Sequence, residues 1–399
     1  MEMQKYHDNY EEVVGSGSEL TEKIADRWNN TVVLEANTSA ITVWKGSLSD
    51  DKASINLARI HGETLHRKTI KAEHMNPALE HTATHEKGMC GTQLFLCVEG
   101  KGPMRFIGIS AAAKISLTGR SGVSFRGEMN DFDFTIPPIH LAGMLEATIK
   151  ANAKKVKVIC VYNKVIGIMS ERYSVVPQTE LIENVHAVLK ERHQNTELTG
   201  GYVSNRTTTI HFDLHEIVAV KGQEYALLIS VGDSTNGYRA VSLIPCCQRL
   251  NSAGKRSTNV YRFDDDEWNC NHVGLDMSRI IEGADTMLLK LRDNVALMAE
   301  AETHILAYPA LYFSHAVSQL NRLAVNKGGT KISKSMEKEI SEMILTLISQ
   351  GVKREFSVMD IADYLLNAIP YEVADSTRDS MKKTIMRIIN LKHDELDKQ

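Results

Sequence analysis

Residues 207–220 read TTTIHFDLHEIVAV, with apolar side chains at 210, 212 and 214 alternating with polar ones. An alternation of period two is typical of a strand that has one face in the core and one in solvent. Residues 225–231 (YALLISV) and 239–244 (RAVSLI) read as two further strands. The Asn236-Gly237 pair between them supplies the positive φ values of a tight hairpin. The middle of the chain therefore predicts an antiparallel sheet.

Further strand and helix patterns precede this sheet. Apolar or alternating stretches bounded by turn residues predict strands, and apolar residues at helical spacing predict helices. The predicted strands are 31–34, 41–44, 94–98, 104–109, 156–161 and 165–169, and the predicted helices are 140–153 and 179–192. Residues 61–90 are polar, rich in histidine and interrupted by Pro77, so we predict a loop with a short helix there.

From Gly274 onward the pattern becomes helical. The predicted helices are 276–305, 309–325, 334–350, 357–368 and 376–396. We therefore expect an α+β fold, with a mixed or antiparallel sheet body and a helical C-terminal part. The expected regions are a leader (1–30), an N-terminal α+β region (31–155), a β-rich core region (156–272) and a helical C-terminal region (273–399). The leader is expected to be helical or frayed, with GSGS at 15–18 as a flexible joint.

Composition narrows the class of protein. Hydrophobic residues make up 43% of the chain and charged residues 24%, which allows a sizeable core. A net charge of −4 provides no overall attraction to polyanions, so any such binding needs a local patch. No apolar run is long enough to span a bilayer, and the N-terminus lacks the basic start and apolar stretch of a signal peptide. We expect no membrane contact and a cytoplasmic location.

Cysteine spacing and glycine patterns exclude two further classes. The six cysteines form no CxxC pair and are expected to be reduced thiols. They are Cys90, Cys97, Cys160, Cys246, Cys247 and Cys270. The sequence contains no G-x-x-x-x-G-K-[ST] loop, so hydrolysis of ATP or GTP is not expected, and no cofactor is predicted.

Three segments between residues 160 and 310 carry a resemblance to a known family. They are SERYSVVP at 170–177, DSTNGYRA at 233–240 and CQRLNSAG at 247–254, followed by His272 before a long helix. In order and spacing they resemble the phage- and plasmid-encoded proteins of domain of unknown function 932. The resemblance implies a mobile-element origin, hence a bacterial host cell, and no particular biochemical activity. The matched residues, none with an assigned role, are Arg172, Tyr173, Asn236, Gly237 and His272.

Two basic stretches suggest a surface for a nucleic acid. Residues 147–170 and 238–262 both contain several cations and no acidic residue. Lysine and arginine bind phosphates, and aromatic rings stack on the bases of a single strand. The predicted phosphate contacts are Arg239, Arg249, Lys255, Arg256, Lys154 and Lys155, and the predicted stacking residues are Tyr238 and Tyr261. The acidic run at 264–267 (DDDE) could instead neutralise this basic stretch.

Two groups of histidines raise the question of a metal. Period two places His211, Asp213 and His215 on one strand face, where they could hold a divalent ion for phosphoester hydrolysis. A solvated strand face produces the same alternation, and such residues lie about 7 Å apart along the strand. The second group is His61, His66, His74, His81 and His85, with Cys90 behind them. We interpret that group as a polar surface segment and predict no metal.

The C-terminal part offers a faint DNA-binding pattern. Residues 356–365 (FSVMDIADYL) resemble the first helix of a helix-turn-helix, and the next helix carries Arg378, Lys382, Lys383 and Arg387. Charges in residues 331–399 are nearly balanced, which favours packing or oligomerisation instead.

Three functions follow as hypotheses. The leading one is a phage- or plasmid-encoded accessory protein that binds nucleic acid in replication, recombination or host takeover, with no catalytic residue assigned. The alternatives are a protein–protein interaction factor, such as a host-defence inhibitor or an assembly component, and a metal-dependent phosphoesterase. The expected partners are a single-stranded nucleic acid, a host or phage protein, or a second copy of the chain.

Overall fold

The computed structural model describes residues 10–48, 54–71, 93–98, 105–109, 138–152, 155–162, 164–204, 207–235, 240–251, 253–256, 259–273, 277–353, 355–370, 373 and 375–398. Its strands are β1 (Glu11–Val14), β2 (Thr31–Asn37), β3 (Ile41–Leu48), β4 (Ser54–His61), β5 (Thr64–Lys71), β6 (Gln93–Val98), β7 (Arg105–Ile109), β8 (Lys155–Val161), β9 (Lys164–Ser170), β10 (Glu197–Ser204), β11 (Thr208–Val220), β12 (Gln223–Asp233), β13 (Val241–Leu250), β14 (Tyr261–Arg262) and β15 (Trp268–Cys270). Its helices are α1 (Gly17–Asn29), α2 (Pro138–Asn152), α3 (Gln178–Arg192), α4 (Met277–Thr303), α5 (Pro309–Lys327), α6 (Lys334–Ser349), α7 (Val358–Asn367), α8 (Asp375–Met386) and α9 (His393–Leu396).

The strands form two sheets. The central sheet has the order β1-β10-β11-β12-β13-β14, with β15 also paired to β13. The N-terminal sheet has the order β2-β8-β9-β7-β6-β3-β4-β5. Within each sheet, neighbouring strands pair in antiparallel fashion, except β7 and β9, which are parallel. With helices following the sheets in the chain, this architecture confirms the predicted α+β fold.

The alternation in residues 207–220 determines which face of β11 enters the core. Ile210, Phe212 and Leu214 are at most 2% exposed and belong to the largest apolar cluster of the described structure. That cluster also contains buried side chains of α1, α3 and α4. Removing a side chain of this size from water stabilises the fold by about 1.5–3 kcal/mol. The period-two pattern therefore positions the helices as well as the strand.

The C-terminal helices extend the same core. Leu291 of α4, Phe313 of α5 and Ile361 of α7 are fully buried in the cluster that covers the central sheet. A capping box starts α7: the backbone N–H of Asp360 donates to Ser357 Oγ (3.1 Å), and that of Ser357 donates to Asp360 Oδ2 (2.7 Å). In the described ranges, no helix combines the length and the apolar content that crossing a bilayer requires.

Residues 11–29 form part of the central sheet and its core, and residues 17–29 are helical, one of the two forms expected of this segment. Glu11 faces Ser204 and Val14 faces Gly201 in an antiparallel pairing of β1 with β10. The predicted flexible joint caps α1, because Ser16 Oγ accepts from the backbone N–H of Glu19 (3.5 Å). The overlooked signal was the apolar pair 20 and 24 at helical spacing, both fully buried.

Two other expectations on chain organisation need correction. The boundary between 155 and 156 cuts through the N-terminal sheet, because β8 and β9 pair with β2 and β7 there. Residues 64–71, predicted as loop, form β5, an edge strand whose side chains are nearly all exposed. Such a strand has no apolar face to reveal it in the sequence. The remainder of the predicted loop, 72–90, lies outside the described residues.

Candidate functional site

Segments that carried the family resemblance meet in one buried polar cluster. Tyr173 follows β9, Asp233 ends β12 and His272 follows β15. The Tyr173 ring stacks on the His272 imidazole, with centroids 4.7 Å apart, and its hydroxyl donates to the carbonyl oxygen of Ser234 (2.9 Å). His272 Nε2 lies 3.2 Å from Asp233 Oδ1. Residues that are distant in the chain are thus adjacent in the fold.

The carboxylate of Asp233 has a second partner. Gln178, the first residue of α3, donates from Nε2 to Asp233 Oδ2 (3.0 Å) and accepts at Oε1 from Thr208 Oγ1 (3.2 Å). His272 Nδ1 lies 3.1 Å from the carbonyl oxygen of Ser174, so acceptor oxygens face both ring nitrogens. The approach of Nε2 to Oδ1 lacks hydrogen-bond geometry, so the Asp233–His272 contact is a close contact between two buried polar groups.

Burial defines what this cluster can do. Asp233 is 0% exposed and His272 4% exposed, so neither side chain reaches a ligand from the surface. The cluster ties together the end of β12, the start of α3 and the segments after β9 and β15. Among the other matched residues, Arg172 is exposed, whereas Asn236 and Gly237 lie outside the described residues. We interpret the cluster as structural.

Arg249 and Tyr261, predicted to bind nucleic acid, are committed to an internal network. Arg249 donates from Nη1 to Glu302 (2.7 Å) and from Nη2 to Asp363 (3.2 Å). The hydroxyl of Tyr261 donates to Asp363 Oδ1 (2.8 Å), and the residue is 0% exposed. A buried ring cannot stack on a base, and an arginine held by two carboxylates is poorly placed to bind a phosphate. The structure therefore leaves Tyr261 no face for a base and gives Arg249 two carboxylate partners.

The rest of the basic stretch at 238–262 divides between paired and exposed cations. Arg256 forms an ion pair with the buried carboxylate of Asp213, whereas Lys255 is exposed. Tyr238 and Arg239 lie outside the described residues. The acidic run does not cover the loop around Lys255: Asp265 binds Arg387 and Asp266 pairs with Lys290. Lys255 and Arg256 are both exposed, and of the two Arg256 is held by a carboxylate.

Cations of the second basic stretch also have partners. Lys150 pairs with Glu146 (2.7 Å) and Lys155 with Glu171 (3.5 Å). Lys157 donates to the carbonyl oxygen of Tyr173 (2.8 Å). Lys154 lies outside the described residues. Both acids lie just outside residues 147–170. The positive charge that this stretch shows in the sequence is therefore partly neutralised by ion pairs in the fold.

The predicted row His211, Asp213 and His215 does not converge on one point. His211 Nδ1 lies 2.7 Å from Ser230 Oγ, and Asp213 pairs with Arg256. His215 adopts a positive φ of 49° in an irregularity of the β11–β12 ladder and contacts Glu197 instead (3.1 Å). The bulge breaks the period-two assumption on which the metal hypothesis depended. Within the described part of the chain, no group of three metal-ligating side chains is found.

Two cations of the predicted helix-turn-helix also make contacts within the protein. Arg387, expected on a reading helix, is 3% exposed and donates from Nε and Nη2 to Asp265 (2.8 and 2.7 Å). Lys383 reaches the carbonyl oxygen of Asp264 (3.4 Å). Lys383 of α8 and Arg387, the residue after it, hold this part of the chain to the turn at 264–266 and do not form a free basic face.

The structure contains a basic surface that sequence reasoning missed. The β4–β5 ribbon, residues 54–71, contains Arg59, Arg67, Lys68 and Lys71 against a single acid, Glu63. All β5 side chains are exposed except that of Ile70, which packs beneath the ribbon. Arg67 lies opposite Ala58 in the pairing of β5 with β4, and β4 contains no carboxylate. The predicted His61 and His66 lie on this ribbon; His74, His81, His85 and Cys90 lie outside the described residues.

The ribbon is anchored at its base and at one side. Ile55 and Leu57 of β4 are 2% exposed and pack with Trp44 and Phe95. Arg59 stacks over the Trp44 ring (4.9 Å) and pairs with Glu146 of α2 (3.0 Å). Pairing of β4 with β3 stops at Ala58, so the tip from Arg59 to His66 continues beyond that ladder. A fixed, basic and exposed strand results.

Comparison of the chain with protein families, with characterised proteins and with solved structures found no match.

Proposed function

We propose that the protein binds a nucleic acid through the β4–β5 ribbon. The carrying observation is that Arg67 is exposed on an edge strand whose paired neighbour has no carboxylate. Lys68 and Lys71 are exposed on the same strand, and each also interacts with a neighbouring group. Polyanion backbones are bound by lysine and arginine with release of counterions. The mobile-element origin implied by the resemblance agrees with an accessory role in replication or recombination.

A basic edge strand has a second explanation. Natural sheets place lysine and other charges on edge strands to prevent pairing with other chains. To protect an edge in this way, a side chain needs only to be charged, because either sign opposes the addition of a strand from another chain. Replacing the cations by carboxylates therefore separates the two explanations: it preserves protection of the edge and abolishes phosphate binding.

Fluorescence anisotropy with labelled single- and double-stranded DNA and RNA over a salt series tests the proposal. The wild-type chain is expected to bind with an affinity that falls as salt increases. In Arg67→Glu/Lys68→Glu, affinity is expected to fall and the salt slope to decrease by about one per lost phosphate contact. Lys338→Glu/Lys392→Glu is the matched control, since both lysines are more than three-quarters exposed on other elements and the change in net charge is identical.

Two results would refute the proposal. One is absence of binding to every probe at low salt. The other is an equal loss in the ribbon variant and the control variant, which would show a response to net charge alone.

An apolar patch supports a second candidate, a protein–protein interaction factor. Leu345 and Ile348 of α6 are 54% and 40% exposed, and Val352 just beyond the helix is 67% exposed. Exposed apolar groups that adjoin each other are typical of protein contact sites. A Leu345→Asp/Val352→Asp variant is expected to lose a protein partner in pull-down experiments while keeping nucleic-acid binding unchanged.

A further inference from the structure

Three residues that line one small cavity beside the acidic turn each carry a buried polar atom without a hydrogen-bond partner among the protein atoms. The atoms are Arg262 Nε, Asp264 Oδ2 and Asn294 Nδ2. The residues are 6%, 7% and 4% exposed. Buried polar groups without a partner are rare in folded proteins, because a buried group that makes no hydrogen bond costs free energy. Three of them on one cavity indicate a shared partner.

The size of the cavity limits that partner. Its volume is about 20 Å³. A cavity of roughly 10–15 Å³ is the least that holds one water molecule when two to four polar groups surround it. The space that a water-sized sphere can enter therefore fits one water molecule or one ion of similar size.

The chemistry of the lining atoms distinguishes water from ions. Arg262 Nε and Asn294 Nδ2 are donors, which repel a cation, and the Asp264 carboxylate is an acceptor, which repels an anion. Water accepts two hydrogen bonds and donates two, so it matches two donors and one acceptor. We infer that the cavity binds one ordered water molecule, held by Arg262, Asp264 and Asn294.

The position of this site shows what the water connects. Asn294 is on α4, Arg262 is on β14, and Asp264 lies in the turn that follows β14. Direct contacts already join Arg262 Nη2 to Asp264 Oδ1 (2.9 Å) and Arg262 Nη1 to Asp379 of α8 (2.8 Å). The water completes the bonds of the same arginine and carboxylate and adds α4 to the network. It is therefore a structural member of the junction between the central sheet and the C-terminal helices.

A crystal structure of the full chain, at a resolution that shows ordered water, tests the inference. We expect one density peak within hydrogen-bond distance of all three atoms. In Asn294→Leu, which fills the space and removes a donor, the peak should vanish. In Asn321→Leu it should remain, because Asn321 binds the backbone of Ile332 directly and does not line the cavity.

Solution NMR provides a second readout if the variants do not crystallise. The Nε–H proton of Arg262 should show cross-relaxation with a long-lived water in the wild-type chain and lose it in Asn294→Leu. The inference is overturned by an empty cavity in which Asn294 has turned to a protein acceptor. A peak with an anomalous signal after a bromide soak would also overturn it, since the site would then bind an anion.

Discussion

His272 Nε2 lies 3.2 Å from Asp233 Oδ1, and this contact joins the segment after β15 to the end of β12. Both side chains are buried. His272→Ala is expected to lower the free energy of unfolding by about 2 kcal/mol, because it removes the ring stacked on Tyr173 and the partner of the Ser174 carbonyl oxygen. Urea denaturation measures the change. Lys338→Ala, at an exposed position, should change it by less than about 0.5 kcal/mol; equal effects would contradict a structural role for His272.

Arg249 is expected to matter for stability and not for nucleic-acid binding. Its guanidinium lies between Glu302 and Asp363, and its removal brings two partly buried carboxylates together without a cation. Arg249→Ala should cost about 3 kcal/mol. The double variant Arg249→Ala/Glu302→Ala should cost less than the sum of the single changes, with a coupling on the order of 1 kcal/mol. Additive effects would show that the network is not a unit.

The stability of the protein should decrease as the pH falls through the range in which His211 titrates. Burial lowers the pKa of His211 from 6.5 to about 4, and nearby Arg262 adds to the effect. Between these values the unfolded chain binds a proton that the folded chain does not, so folding loses up to about 3 kcal/mol by pH 4. Denaturation at several pH values should show a shallower decline for His211→Gln than for the wild type. Parallel curves would exclude His211 as a cause.

Cysteine labelling should report opening of the core. Cys97, Cys160, Cys246, Cys247 and Cys270 are buried, and burial raises the pKa of Cys246 to about 11. Thiols react as thiolates, so these residues should be inert toward a disulfide reagent in the native state. In a Cys90→Ser variant, the remaining thiols are expected to react only after addition of denaturant. Rapid reaction in buffer alone would contradict this arrangement.

The segment predicted as a leader should contribute to stability. Leu20 of α1 is 0% exposed in the main core, so Leu20→Ala should lower the free energy of unfolding by about 3 kcal/mol. Thr21, its exposed neighbour, is the matched control, and Thr21→Ala should have little effect. An effect of Leu20→Ala as mild as that of the control would contradict the burial of Leu20 in the main core.

Sequence reasoning succeeded where one periodicity governed a whole element. The alternation at 207–220 predicted β11 and its buried face, and the helical spacing at 179–192 predicted α3 to within a residue. Charge patterns were less informative, since the partners of Arg249, Arg256 and Arg387 come from distant segments that no local window includes. β5 was missed for the opposite reason: an exposed edge strand buries almost nothing, so it leaves no hydrophobic pattern.

The pairing of β1 with β10 has a consequence for the order in which the chain can fold. The whole N-terminal sheet, from Thr31 to Ser170, lies in the chain between these two strands. On the ribosome, the described strands of that sheet emerge before the partner of β1 has been made. Contacts between residues far apart in the chain also form slowly, because a long loop must close first. We therefore expect the N-terminal sheet to assemble before β1 pairs with β10. On this view, β1 and α1 join the central sheet only late in synthesis.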